Sequence, residues 1–153
     1  MENLKVVIAD DEERICQLIQ ALVNWDGLGI EIAEMAHNGI EAFDVVQKVR
    51  PDILITDIRM PGLSGLELIE KVKAACPEME IIIISGYAHF EYAQQAIRFG
   101  VGHYLLKPIN KAELTETLEK LKSKIGKRQE SERDKQVLIQ KAQKNEDYMR
   151  SKL

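Results

Sequence analysis

A chain of 153 residues holds one folded domain of ~100 to 150 residues with some length to spare, and its 45% hydrophobic and 30% charged residues describe a globular protein with an ordinary solvated surface. Uninterrupted apolar stretches such as Ile81 to Ile84 fall far short of the ~20 residues of a bilayer span, and Met1 is followed by Glu2 rather than by a basic and then an apolar segment, which argues against membrane insertion and secretion. The net charge of −4 divides into −7 over residues 1–125 (13 basic, 20 acidic) and +3 over 126–153 (8 basic, 5 acidic), so the body repels nucleic acid and only the tail attracts it weakly.

The first apolar run, LKVVIA from Leu4 to Ala9, ends in Asp10 and Asp11. Behind it Ile15, Leu18, Ile19, Leu22 and Val23 fall at helical spacing up to Gly27, and Ile30 to Ala36 reads as a second strand. Asn38 with Glu41 predicts a capped helix carrying Phe43, Val46 and Val49, stopped by Pro51. The third run, 52–56, ends in Asp57. Ser64 with Glu67 repeats the capping spacing ahead of Leu66, Ile69 and Val72, with Pro77 as the stop. A fourth run, 80–84, ends in Ser85; Phe90, Ala93 and Ile97 mark a helix closed by Gly100. The fifth, HYLL, ends in Lys107, and Asn110 with Glu113 opens a helix through Leu114, Leu118, Leu121 and Ile125.

Five strands alternating with five helices predict βαβ units around a parallel sheet, and the near-continuous apolar character of three of the strands predicts helices on both faces. The favoured fold class is therefore α/β, a doubly wound five-stranded parallel sheet. No apolar residue occurs from Gly126 to Gln136, so 126–153 reads as a charged, solvated helical linker separate from the domain of residues 1–125. Arg128, Glu132 and Lys135 fall where a coiled coil needs apolar residues, which argues against that assembly.

In a parallel sheet the carboxyl ends of the strands share one edge, so Asp10, Asp11, Asp57, Ser85 and Lys107 must converge. Crowded carboxylates call for a cation, and hard oxygen ligands favour Mg²⁺, with Asp11 and Asp57 as direct ligands, a backbone carbonyl near Arg59 as a third and Asp10 acting through water. Asp57 stands alone before a flexible IRMPGLSG loop and is the best nucleophile toward phosphorus. Lys107 would keep it ionised and then pair with phosphoryl oxygens, and the Ser85 hydroxyl could donate to another. Cys16 and Cys76 are isolated and read as reduced cytoplasmic thiols; His37, His89 and His103 show no ligand or relay spacing and receive no role.

IADDEE, DIRMPGLSGLEL, SGY and YLLKPI, in this order and spacing, closely resemble the receiver domain of bacterial two-component response regulators over about residues 3–125. The resemblance implies Asp57 as phosphoacceptor, Asp10 and Asp11 as the acidic pair serving Mg²⁺, Ser85 as switch hydroxyl, Tyr104 as a rotating aromatic and Lys107 as the phosphate contact, with a cis peptide bond before Pro108. It implies a sensor histidine kinase as phosphodonor and a switching surface made by the fourth helix, fifth strand and fifth helix. A population shift on that surface would bias partner binding or a phosphorylation-dependent homodimer. Arg59 and Tyr87, each two residues past a reactive one, would flank hydrolytic water and set phosphoryl lifetime.

SGYAHFEYAQQAIRFGVGHYLLKPI resembles receivers joined to an AraC-type helix-turn-helix output, so DNA would be met only through an output domain this chain lacks; the chain is a fragment or a stand-alone receiver. A flavin carrier of similar architecture needs a phosphate cradle where this sequence has DDEE, and a haloacid dehalogenase type phosphatase needs a DxD pair that neither Asp10-Asp11 nor Asp57-Ile58-Arg59 supplies.

Overall fold

The computed structural model describes residues 3–86 and 90–151, of which 90, 92, 93 and 144–151 by backbone alone. The elements run β1 (Leu4–Ala9), α1 (Glu13–Leu22), α2 (Trp25–Leu28), β2 (Ile30–Ala36), α3 (Gly39–Val49), β3 (Ile53–Asp57), α4 (Gly65–Ala75), β4 (Glu80–Ser85), α5 (Phe90–Arg98), β5 (His103–Leu106) and α6 (Lys111–Ser151). All strand pairs are parallel and the order is β2-β1-β3-β4-β5, the doubly wound sheet that the alternation predicts. Residues 1–119 form one compact unit and 120–153 a second, which is helical as far as Ser151. α6 runs unbroken through Gly126, so the stretch expected from residue 126 as a helical linker continues the helix that begins at Lys111.

Local chemistry accounts for the helix starts. Asn38 accepts from the Glu41 amide at 2.8 Å, Ser64 from the Glu67 amide at 3.2 Å and Asn110 from the Glu113 amide at 3.0 Å, so each capping side chain satisfies an otherwise orphaned N–H. The first helix departs from expectation. It stops at Leu22, and a separate turn, α2, is capped by Asn24 and closed by Gly29, whose φ of 71° favours glycine. Among the described residues α2 is therefore added to the five helices the sequence predicts, and the predicted helical extension continues the last of them as α6.

The sheet core is aliphatic on both faces. Val7, Ala9, Leu54, Ile81 and Ile83 belong to a cluster with Ala42, Val45 and Val46 of α3, Leu68, Ile69 and Val72 of α4, and Ala96 of α5. Val6, Ile8, Ile53, Ile55, Ile82 and Ile84 are equally buried and point the other way, because successive strand side chains alternate. Two apolar positions of the expected helix stripes, Leu18 and Ile97, are instead exposed, and Cys16, Ile19 and Ala96 occupy the buried positions.

Gly65 ties the core to the site. A Cβ there would lie 2.4 Å from the Asp57 carbonyl oxygen and 2.6 Å from the Ile58 Cα, and its N–H donates to the Ile58 carbonyl at 2.9 Å. Backbone cannot yield as a flexible side chain can, so Gly65→Ala is expected to cost about 1–3 kcal/mol, read as a lower melting temperature.

Candidate functional site

Strand order reverses between β1 and β3, and their carboxyl ends leave a crevice there. Asp10 follows β1, Asp57 ends β3, Ser85 ends β4 and Lys107 follows β5. Pairing of Asp57 with Ile84 and of Ser85 with Leu106 brings these ends level.

The expected convergence is present for the charged groups. Lys107 Nζ lies 3.0 Å from Asp57 Oδ2 and 3.3 Å from Asp10 Oδ2, bridging two carboxylates that are nearly inaccessible to solvent. One carboxylate oxygen from each of Asp10, Asp11 and Asp57 falls within 4.8 Å of the others, with Asp11 on the exposed side. Asp57 Oδ1 accepts from the Ile58 amide at 2.7 Å and from the Arg59 amide at 3.4 Å, and Asp10 Oδ1 accepts from the Glu12 amide at 2.9 Å. Backbone donors thus fix the orientation of both buried acids. An open depression of about 280 Å³ lined by Asp11, Arg59, Met60, Pro61 and Ser64 lies beside them.

Burial and neighbouring charge both act on the ionisable groups of this pocket. Burial, more than any other influence, lifts the Asp10 carboxyl from its ordinary 3.8 to about 6; the Asp57 charge adds to the rise, and the Glu12 amide and Lys107 oppose it. Burial alone would lower Lys107, but the hydrogen bond and charge of Asp57, then those of Asp10, outweigh it and hold its ammonium above its ordinary range. Three all-oxygen donors around one point, two of them buried and one open to solvent, fit a hard divalent ion such as Mg²⁺, which takes one or two protein carboxylates and keeps several waters.

The remaining expected residues fall as follows. Ser85 is fully buried, and its hydroxyl donates to the Gly86 carbonyl at 3.2 Å while its own carbonyl accepts from the Lys107 amide at 2.9 Å. The Lys107–Pro108 peptide is cis. Tyr104 pairs with Ile83 on β4 and packs against the core cluster; its hydroxyl is buried with no hydrogen-bond partner among the described residues. Arg59 is exposed. Tyr87 lies outside the described residues, as does His89.

Two residues absent from the expected site touch it through the main chain. His37 Nδ1 lies 3.2 Å from the Asp10 carbonyl oxygen, and the buried Cys16 Sγ lies 3.8 Å from the same oxygen. Burial, then the charge of Asp10, pushes the Cys16 thiol up to about 11, so it stays protonated and is a donor. His37 immediately precedes the α3 cap Asn38, the one local signal that could have placed it on the site edge.

The response regulator receiver domain model matches residues 6–119. The transcriptional regulatory protein YesN of Bacillus subtilis (strain 168), itself uncharacterized, is 41% identical over 131 residues, which are 86% of this chain and 35% of YesN. The transcriptional regulatory protein HptR of Staphylococcus aureus (strain N315) is 37% identical over 117 residues, 76% of this chain and 46% of HptR. The chain therefore spans less than half the length of either relative. Among solved structures, the REC domain of AraT, a response regulator from Geobacillus stearothermophilus, superposes with a TM-score of 0.80 at 38% identity, covering 84% of this chain and 99% of that one. A two component transcriptional regulator AraC from Clostridium phytofermentans superposes with a TM-score of 0.77 at 32% identity, covering 83% and 98%. With the sheet order, the acidic crevice and these matches in agreement, the chain belongs to the response regulator receiver domain family.

Proposed function

We propose that this chain accepts a phosphoryl group on Asp57 from a sensor histidine kinase and, once phosphorylated, controls an output. The observation that carries the reading is the meeting of the Asp57 carboxylate with the Lys107 ammonium at 3.0 Å beside the two further acids Asp10 and Asp11. A carboxylate oxygen of Asp57 attacks phosphorus in line as the bond to the donor nitrogen breaks, and an acyl phosphate results. Asp11, Asp57 and the Arg59 backbone carbonyl would hold Mg²⁺, with Asp10 acting through water, and the bound ion would supply positive charge beside the transferring group. Lys107 keeps Asp57 ionised before transfer and pairs with the phosphoryl oxygens after it, and the Ser85 hydroxyl exchanges the Gly86 carbonyl for one of those oxygens. The chain is not a turnover enzyme; it catalyses only its own phosphorylation and dephosphorylation.

Inward movement of Ser85 and Lys107 opens room for the Tyr104 ring to turn, and the face made by α5, β5 and the start of α6 changes with it. Ile97, Phe99 and Leu106 expose apolar surface on α5, the turn after it and β5, which supports that face as the one that binds a partner or a second copy in a phosphorylation-dependent homodimer. The greater length and the names of the relatives support a transcription output that meets DNA through a domain outside these residues, with 126–153 as its connector. The proposed site of action is the cytoplasm; separately, among the described residues no helix is long and apolar enough to cross a membrane.

Acetyl phosphate with Mg²⁺ is expected to add one phosphoryl group by intact-protein mass, and none when the divalent metal is chelated. Uptake that ignores chelation, or turnover of a phosphate ester, would overturn the reading. Arg59 and Tyr87 are proposed to flank the approach of water. Arg59→Ala should change the dephosphorylation rate and leave uptake intact; unchanged decay in variants of both residues removes that role.

A further inference from the structure

We infer that His37 is a positioning residue for the acidic pair, acting through the main chain of Asp10 rather than on any reacting atom. The inference rests on the phosphoacceptor reading above and deepens it. Asp11 is the exposed member of the three acids, so the direction of its carboxylate depends on the peptide unit that joins it to Asp10. That unit is held at its oxygen, which accepts from His37 Nδ1 at 3.2 Å and from the Cys16 thiol at 3.8 Å. On the other side of Asp10 its N–H donates to the Ala36 carbonyl at 3.0 Å. A carbonyl oxygen can only accept, so Nδ1 is the donor in this contact.

His37 is itself fixed from a third element. Its backbone N–H donates to Glu41 Oε2 at 3.4 Å, and the adjacent Asn38 caps α3 through the Glu41 amide at 2.8 Å. The start of α3 therefore holds the His37 backbone, the ring reaches from it to the Asp10–Asp11 peptide, and that peptide aims Asp11 at the position a shared cation would take. Of the two side-chain donors, the thiol is the weaker and longer one, so the imidazole does most of the holding. Groups that orient metal ligands from behind are worth about 10–100-fold in metal affinity, and a main-chain contact from an exposed ring belongs at the low end.

The test measures Mg²⁺ affinity by calorimetry for the native chain, His37→Ala and His37→Asn, with melting temperatures recorded in chelator. The asparagine amide places an N–H donor where Nδ1 stands. The expected result is a roughly tenfold weaker Mg²⁺ affinity in His37→Ala, recovery to within about twofold in His37→Asn, and metal-free melting temperatures alike for all three. Native affinity in His37→Ala, or an asparagine variant as weak as the alanine one, overturns the positioning role. Failure of the native chain to bind Mg²⁺ overturns it too, and takes the phosphoacceptor reading with it.

Discussion

Asp57→Asn is expected to lose phosphoryl uptake to background, the largest single effect in this molecule. The amide oxygen of asparagine is a poor nucleophile, and no second group can replace it. Asp10 is nearly inaccessible and tied to the Glu12 amide and Lys107, while Asp11 is the exposed member of the three acids and is committed to the cation site. The loss is not one of folding, since asparagine is isosteric and keeps an acceptor for the Ile58 amide at 2.7 Å. Removal of one of two buried carboxylates that share a lysine should leave the melting temperature unchanged or slightly raised. Intact-protein mass after acetyl phosphate, paired with a melting curve, checks both halves.

Lys107→Ala is expected to have a large effect on stability, and one that depends on metal. The ammonium lies within 3.3 Å of both buried acids, and its removal leaves two carboxylates facing each other with no cation between them. Breaking a fully buried pair costs ~3–5 kcal/mol. Because the Lys107 side chain is 22% exposed and Asp10 can take up a proton, about 2 kcal/mol is the better expectation, or a fall of about 4–8 °C in melting temperature for a domain of this size. Saturating Mg²⁺ should recover most of that fall, since a divalent ion between the acids takes over the neutralising role. A variant equally destabilised with and without Mg²⁺ would show that metal and ammonium do not share the same carboxylates.

The parts of this account that the sequence carries are those set by short range and by period. Apolar runs fix five strands, a helix-length connection forces them parallel, and parallel strands put Asp10, Asp57, Ser85 and Lys107 on one edge whatever the loops do. The capping pairs Asn38 with Glu41, Ser64 with Glu67 and Asn110 with Glu113 are likewise local, and all three form. The turn at Trp25–Leu28 is not legible because four residues are too few to show a helical period, and its stop depends on Gly29 rather than Gly27. Exposure of Leu18 and Ile97 follows from how far each helix is rotated against the sheet, which a stripe of apolar residues leaves free by one position.

His37 marks the other boundary. Its bond to the Asp10 carbonyl joins loops 27 residues apart, and spacing along the chain carries no trace of a ring that meets a main-chain oxygen across two strands. Within the acidic pair, too, DD in sequence gives no reason to separate a buried Asp10 from an exposed Asp11. Burial of the first, with its carboxyl lifted to about 6, and exposure of the second are set by the turn between β1 and α1.

The most direct test of the central claim is to locate the phosphoryl group. After phosphorylation by acetyl phosphate and Mg²⁺, borohydride reduction converts an acyl phosphate of aspartate into homoserine, which peptide sequencing by mass spectrometry assigns to one position. Homoserine at residue 57 alone is the result this account predicts. Homoserine at residue 10 or 11, a stable phosphate ester at Ser85, or an unmodified chain would contradict it.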